Sequence, residues 1–448
     1  MSTNSHTIGI GSDDDRDQDA CCNCPSPIFR PNSLRGCVNS LSLKILLVIT
    51  SVAVCRPFPL SAQPERVSLQ DAVSFALAHR PELRASASLV TAAEKNLSQS
   101  GIIPNPRFLF RKEDFTNYLN FGENSQTYWE GTQLLETSGK RGGRVAVAQQ
   151  DLEKSRLEAD LERRQIALNV RQSYWRAKAT QALAVLYGED AKYFQQVIDY
   201  HEARFKEGKI AEVDLLRVRL QGQQILAAAA TARLDSEKAL LMLAEEMNAT
   251  VSTDWVLTDN LENLEEPKPA PAGTDATALR AEGQLAQEAI AQAEAHTKLE
   301  KANGRPDLLL TGGYKRDVGI DTPVAGVQFD LPLFNRNQGA VAAAKADEDA
   351  ARESYDATRT RLAAQLTLAR REYEMRREQY LQVFLPLRQQ AIEISDISRA
   401  AYRAGGLDLI RLLDAERARV DAELSYVRAL EGFHLSVAAL NYAEGMDQ

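Results

Sequence analysis

Hydrophobic positions recur along this chain with two different periods, and the switches between them divide it into segments. From Val67 to Gly101 apolar and small residues fall at helical spacing behind Ser68, a hydroxyl residue suited to capping a helix N-terminus. Pro104 and Pro106 stop that helix. Residues 107–116 and 126–136, which hold Phe108, Phe110, Tyr128 and Trp129, read as two extended strands around a polar turn at 117–125. Helical spacing returns at Arg144 and runs to Phe205 with Gly188 as its only glycine, and no proline occurs between Pro106 and Pro267. About sixty residues at ~1.5 Å each make a rod of roughly 90–100 Å, longer than a compact domain is wide. Gly208 closes the rod, and Glu212–Met247 forms a shorter helix running back.

The plan then repeats: a helix at 276–303, strands at 307–317 and 323–333, a long helix from about 340 to 404, a Gly405–Gly406 turn and a return helix at 408–443. Strand 323–333 alternates most regularly, with Ala325, Val327, Phe329 and Leu331 on one face and Gln328 and Asp330 on the other. The duplication is visible residue by residue. YHEARFKEGKIAEVDLL (200–216) falls on ISRAAYRAGGLDLIRLL (397–413), pairing Phe205 with Tyr402, Gly208 with Gly405 and Leu215 with Leu412. QLLETSGKRGGRVAVA (133–148) falls on QFDLPLFNRNQGAVAA (328–343), and NPRFLF (105–110) on RPDLLL (305–310). The chain is therefore read as two copies of one unit, 63–250 and 274–448 with a short C-terminal tail, joined by an acidic, proline-rich linker at 251–273.

On the long helices Leu152, Ala159 and Ile166, and Leu183, Leu186, Phe194 and Val197, lie near heptad spacing among many alanines. Small residues in such a seam suit close helix packing around a large ring. Pro386 interrupts the second long helix at nearly the point where Gly188 lies in the first, which predicts a bend shared by both copies.

Composition fits long solvated helices: 26% charged residues of both signs, a net charge of -9 and only 6% aromatics. No clustered Lys/Arg surface accompanies that charge, so a nucleic-acid partner is excluded. Cys21, Cys22, Cys24, Cys37 and Cys55 all precede residue 56. The apolar run 45–54 behind Lys44, followed by RPFPLSAQP, has the proportions of a signal peptide cut after Ala62, which makes 1–62 a leader and leaves a mature chain without thiols. No run of eighteen apolar residues occurs, so entry into a membrane would require a closed barrel. Each strand is about ten residues, enough to cross a bilayer when tilted, but the smallest single-chain membrane barrels have eight strands. Four strands therefore call for self-association, and three chains supply twelve strands and twelve helical paths.

Candidate chemistry is sparse. His79, His201, His296 and His434 read as exposed helix histidines, none at ligand spacing to an acid or to another histidine. No nucleophile elbow, P-loop or H-E-x-x-H occurs, and GKRGG (139–143) reads as a basic strand-to-helix turn. We expect no enzyme, no cofactor and no metal site.

The order helix, strand pair, long helix, glycine turn and return helix, twice over, resembles the TolC family of outer-membrane efflux proteins. The most specific pieces are ETSGKRGGRVAVAQ, similar to the strand-to-helix junction of the cobalt-zinc-cadmium branch, DLPLFNRNQGAVAAA at the second junction, and the stretch from LPLRQQAIEISD to LLDAERARVDAE. The resemblance implies a mainly α fold with a small β part. It also implies a homotrimer with a 12-strand β-barrel in the outer membrane of a Gram-negative bacterium, a long periplasmic α-barrel, and an equatorial belt to which 250–275 and the C-terminus would contribute. The implied function is a passive exit duct in outer-membrane lipid, serving an inner-membrane resistance-nodulation-division pump through a periplasmic adaptor, with heavy-metal cations as one cargo class. The alternatives are the exit duct of a type I protein secretion system and a periplasmic coiled-coil adaptor or tether. Carried over by position, Asp214 and Tyr402 match a hydrogen-bonded pair that shuts the tip, Asp414 matches a pore-ring aspartate, and Arg411 stands where a second ring acid is expected. Gly208, Gly405 and Gly406 mark tip turns in adaptor contact, and Gly139, Lys140, Arg141, Asn335 and Arg336 mark the strand-to-helix junctions.

Overall fold

The computed structural model describes residues 66–113, 125–250, 255–268 and 276–446. The signal-peptide region, its cysteines and the tip of the 117–125 turn lie outside the described residues. The first unit comprises β1 (Arg66–Val67), α1 (Leu69–His79), α2 (Pro81–Ser100), β2 (Arg107–Glu113), β3 (Gln126–Leu135), α3 (Lys140–Lys206) and α4 (Glu212–Met247). A short β4 (Val256–Leu257) follows. The second unit comprises α5 (Ala276–Leu279), α6 (Ala281–Asn303), β5 (Leu308–Asp317), β6 (Ile320–Gln328), α7 (Gln338–Gln379), a π-helical turn (Tyr380–Phe384), α8 (Leu385–Arg403) and α9 (Leu409–Ala443).

The expected helix 67–101 is two helices. Ser68 caps α1 in a reciprocal box with Asp71, but Arg80 is extended at φ -62°, ψ 125°, because Pro81 crowds an α-helical residue before it. The same break recurs at Arg280, between α5 and α6. Arg80 bonds Glu82 and Glu246, and Arg280 bonds Glu282 and Gln365, so each break is held by an arginine reaching an acid two residues on and a neighbouring helix. The second long helix is also divided, by the π turn just before Pro386, whose ring and missing N–H disturb the hydrogen-bond ladder of the preceding turn. In contrast, α3 is one uninterrupted helix over its full 67 residues, Gly188 included.

The helices form four adjacent columns. α2 and α4 flank successive lengths of α3, α6 and α9 flank its other side, and α7 and α8 lie outside α6 and α9. Contacts fix this order: Arg156–Glu94 joins α3 to α2, Gln292 bonds Asp151 between α6 and α3, and Arg370 bonds Glu444 where the end of α9 meets α7. The sheet follows the same sequence, antiparallel throughout in the order β2–β3–β5–β6. β2 fills the described part of the expected 107–116, β3 ends one residue short of the expected 126–136, and β6 is displaced from 323–333. Pairing of β6 ends at Gln328, so Phe329 and Leu331 lie past the strand.

The core sits at mid-height, where the linker wraps the columns. Trp255, Leu257 and Leu261 are buried with Val67, Tyr174, Trp175, Tyr380, Tyr426 and Leu430. β4 pairs parallel with β1, and Asp259 accepts bonds from the Leu69 N–H, 2.7 Å away, and from the Tyr174 hydroxyl. The described part of the 251–273 linker, 255–268, is thus a packed strap, and Lys268 donates its N–H to Asn441 near the end of α9 at 3.1 Å.

Candidate functional site: tip, seam and sheet

The two helical hairpins end in the same turn. After α3, Gly208 adopts φ +67° and its N–H bonds Phe205 O at 2.9 Å, while the Lys209 N–H bonds Arg204 O at 2.9 Å. After α8, Gly405 adopts φ +78°, its N–H bonds Tyr402 O at 3.0 Å, and the Gly406 N–H bonds Ala401 O at 2.9 Å. Both are helix-terminating motifs that need a residue at positive φ, which is why glycine stands at 208 and 405. Gly406 donates the closing bond.

Tyr402, next to last in α8, points to α3. Its hydroxyl lies 2.6 Å from His201 Nε2, with the rings nearly parallel at 20° and 5.8 Å apart. Within the protomer its partner is therefore His201 and not Asp214. Asp214 sits in the first turn of α4, half-buried, with Arg217 3.8 Å away. Burial is the largest influence on the Tyr402 phenol and holds its pKa above the ordinary value, with Asp214 adding in the same direction. Asp414 and Arg411 are exposed on α9. Arg411 pairs with Asp408, the N-cap of α9, at 3.4 Å, and Asp414 lines a cleft with Arg217, Gln221, Gln224 and Arg417.

Above the tip a buried charge network joins α3, α8 and α9. Glu416, 1% exposed, accepts from Arg399 on α8, from Ser395 at 3.1 Å and from Arg419 at 3.2 Å. Arg419 also pairs with Asp190 on α3 and with Glu423. Burial would raise the Glu416 carboxyl, but the Arg399 and Arg419 guanidiniums outweigh it and hold its pKa low. This network was not expected. Its only sequence signal is the i, i+3, i+7 spacing of Glu416, Arg419 and Glu423, which is equally the pattern of a solvated face.

Two of the four histidines expected to be exposed are buried: His201, and His434, which stacks on Trp175 at 3.7 Å and bonds Leu261 O at 2.8 Å. His79 and His296 are exposed as expected. Periodicity misplaces the other two because these columns pack on more than one side, so no single polar stripe marks the solvent.

At the junctions, Gly139 caps α3 at φ +76°. Lys140 and Arg141 are already in the helix, so GKRGG is mostly first turn and not a loop, and Lys140 pairs with Asp307 at 2.8 Å. Asn335 accepts the Asn337 N–H at 3.0 Å, and the Arg336 N–H bonds Gln338 at 2.8 Å. The residue matching Gly139 is Asn337, at φ +61°, a position the sequence reading missed although asparagine tolerates the left-handed region.

The sheet has two distinct faces. Register aligns Phe110, Trp129, Tyr314 and Pro323 in one row, and Leu310 with Val327 in another on the same face, together with Phe108 and Ala325. The opposite face carries Arg111, Tyr128, Lys315 and Thr322 in one row, with Glu130 and Gln328 on other rows. Among the described residues no helix is long and apolar enough to cross a membrane and no cluster of three or more metal-binding side chains occurs.

Comparison with known proteins agrees with this architecture. Residues 72–249 match the family described as Outer membrane efflux protein. The chain is 25% identical to the cobalt-zinc-cadmium resistance protein CzcC of Cupriavidus metallidurans over 414 residues, covering 90% of this chain and 96% of that one. It is also 25% identical to the nickel-cobalt-cadmium resistance protein NccC of Alcaligenes xylosoxydans xylosoxydans over 304 residues, 66% of this chain and 67% of that one. The fold superposes on the Campylobacter jejuni CmeC outer membrane channel with a TM-score of 0.72 at 18% identity, covering 85% of this chain and 86% of that one. The fold is one found in solved outer-membrane channels. A repeat matched to the family, a relative aligned over nine tenths of the chain and a shared fold converge, and the chain is similar to outer membrane efflux proteins in sequence and in fold.

Proposed function

We propose that this chain is the protomer of a closed trimeric exit duct in the outer membrane, with its helices extending into the periplasm. One observation carries the reading: the sheet and the helices are open at matching flanks. β2 and β6 each have one unpaired edge, and the outer columns, α2 with α4 and α7 with α8, continue from those same two strands. A ring that pairs β6 of one copy with β2 of the next also brings α7 and α8 against the next copy's α2 and α4. Unpaired strand edges are not tolerated in lipid, and three copies give twelve strands, within the range of membrane barrels. The facing helix flanks are apolar at heptad spacing: Val213, Leu220, Leu234 and Leu241 on α4, and Val383, Leu387, Ile394 and Ile397 on α8 and the turn before it, all exposed in the protomer.

Conduction in this reading is passive, with energy and cargo choice supplied by a resistance-nodulation-division pump and a periplasmic adaptor that meets the tip turns. Divalent transition-metal cations are the proposed cargo, on the strength of the relatives' names. The tip is the gate, with Tyr402 and Asp214 in its closure and Asp414 repeated around the axis. Detergent-extracted protein from the outer-membrane fraction should run as a trimer, and Tyr402→Phe with Asp214→Ala should raise its conductance in planar bilayers. A soluble monomer would refute the duct, and an unchanged conductance with trimers intact would refute the gate.

A further inference from the structure

We infer that His201 is the positioning residue that holds Tyr402 across the tip. The inference rests on the proposed gate and adds a residue to it. His201 lies on α3 a little more than one turn before the helix ends at Lys206, and its side chain is 1% exposed. Its Nδ1 is 2.7 Å from the carbonyl oxygen of Val197. A carbonyl only accepts, so the Nδ1 carries the hydrogen, and in the neutral ring Nε2 is a bare acceptor. The Tyr402 hydroxyl 2.6 Å away must then donate to it. This bond ties the end of α3 to the end of α8, directly above both tip turns.

The groups around the pair are charged and polar on two elements. Arg204 and Tyr200 on α3 and Asp214 on α4 act on the Tyr402 hydroxyl, and the Tyr200 ring meets His201 edge-on at 5.3 Å. Arg219 of α4 is bonded to Glu202 at 2.7 Å, and Asp214 lies 3.8 Å from Arg217. Glu416 of α9 faces Tyr193, about two turns further along α3, and is bonded to Arg399 and Arg419.

The rest of the tip restricts where a released hold can act. α4 is pressed onto α3 at Gly222, where an added Cβ would meet Ile198 Cδ1 at 2.5 Å, so the α3–α4 hairpin is a fixed post. The α8–α9 hairpin is joined to that post by the Glu416–Arg419–Asp190 network higher up and by His201–Tyr402 at the end. Loss of the lower tie frees the end of the α8–α9 hairpin while the upper network stays in place.

The test is single-channel conductance of purified trimers in planar bilayers. Wild type should be mostly closed. His201→Phe keeps the ring volume and removes both nitrogens. It should raise open probability on the order of tenfold, a hydrogen bond lost in each of three subunits. Tyr402→Phe should behave alike. His201→Gln, whose amide oxygen accepts from Tyr402, should restore closure, which a loss of packing alone would not. If His201→Phe matches wild type while Tyr402→Phe with Asp214→Ala conducts, or if His201→Gln conducts as His201→Phe does, the gate stands and the His201 tie is overturned. If none of the variants conducts above wild type, the gate reading falls and takes the tie with it.

Discussion

His434 shows how burial changes what a histidine contributes. Stacked on Trp175 and 2.8 Å from the Leu261 carbonyl, it is held with its pKa below the ordinary value by desolvation. The sign follows directly. The folded chain keeps this ring neutral while the unfolded chain takes up a proton below about pH 6.5, so stability is complete above that value and is lost as pH falls towards the depressed folded pKa. The apparent melting temperature of the helical part should therefore drop between pH 7 and pH 5, and His434→Phe should flatten that drop. A second residue-scale expectation concerns Arg419. Arg419→Met leaves Asp190 buried without its partner and should cost about 3–5 kcal/mol, since breaking a buried pair strands a charge. A denaturation midpoint equal to wild type would show that Asp190 finds another donor. His434 was read as exposed and Arg419 was not singled out at all, because residue type and helical spacing do not say how many sides of a helix are covered.

At the scale of elements, more could be read in advance. The glycine turns, both return helices and the first strand pair stand where period changes and breakers placed them, and Glu212–Met247 agrees to the residue. What escaped were interruptions inside continuous helical patterns. Arg80–Pro81 is a visible break signal, but Arg280–Ala281 has no proline and follows only from the duplication, and a π turn leaves no periodic trace. The sheet faces were legible from alternation, and register confirms that Val327 and Gln328 point to opposite sides. Val327→Arg should impair assembly in the outer membrane, at a cost of about 2–4 kcal/mol near mid-bilayer, whereas Gln328→Arg should be tolerated. Heat-resistant trimer in the membrane fraction is the measurement, and equal loss in both variants would argue that this face is not against lipid. Phe329, although it continues the alternation, is not a matching site, because pairing stops before it.

For the whole molecule, the decisive property is that one order governs both layers: strands and helix columns run across the protomer in the same sequence and end at the same two flanks. Sequence could supply the strand count and the demand for closure, but not which helices would face the neighbouring copy, since that depends on how seven helices stack into four columns. Leu234→Glu on α4 and Ile394→Glu on α8 each place a carboxylate in the proposed seam. Each should shift the protein from trimer to monomer in detergent, whereas a glutamate at exposed Lys238 should not. Trimer content on native gels decides the matter, and trimers surviving both changes would move the seam elsewhere on these helices.

The strap at mid-height has a further consequence, for how the chain is connected. β1 opens the first unit and lies paired to β4, just past that unit's end. Gly445, at the close of the second unit, packs within reach of Leu279 at its beginning. Each unit thus starts and finishes in one place, and the peptide between 268 and 276 joins neighbours that the strap already holds together. Covalent continuity there should be dispensable. Two half-length polypeptides divided in that interval, each exported with its own signal, should recombine into working ducts, and copper-free affinity capture through a tag on one half should recover the other in equal amount. The fold would then behave as a ring of alternating interchangeable parts, open to mixing halves from different ducts.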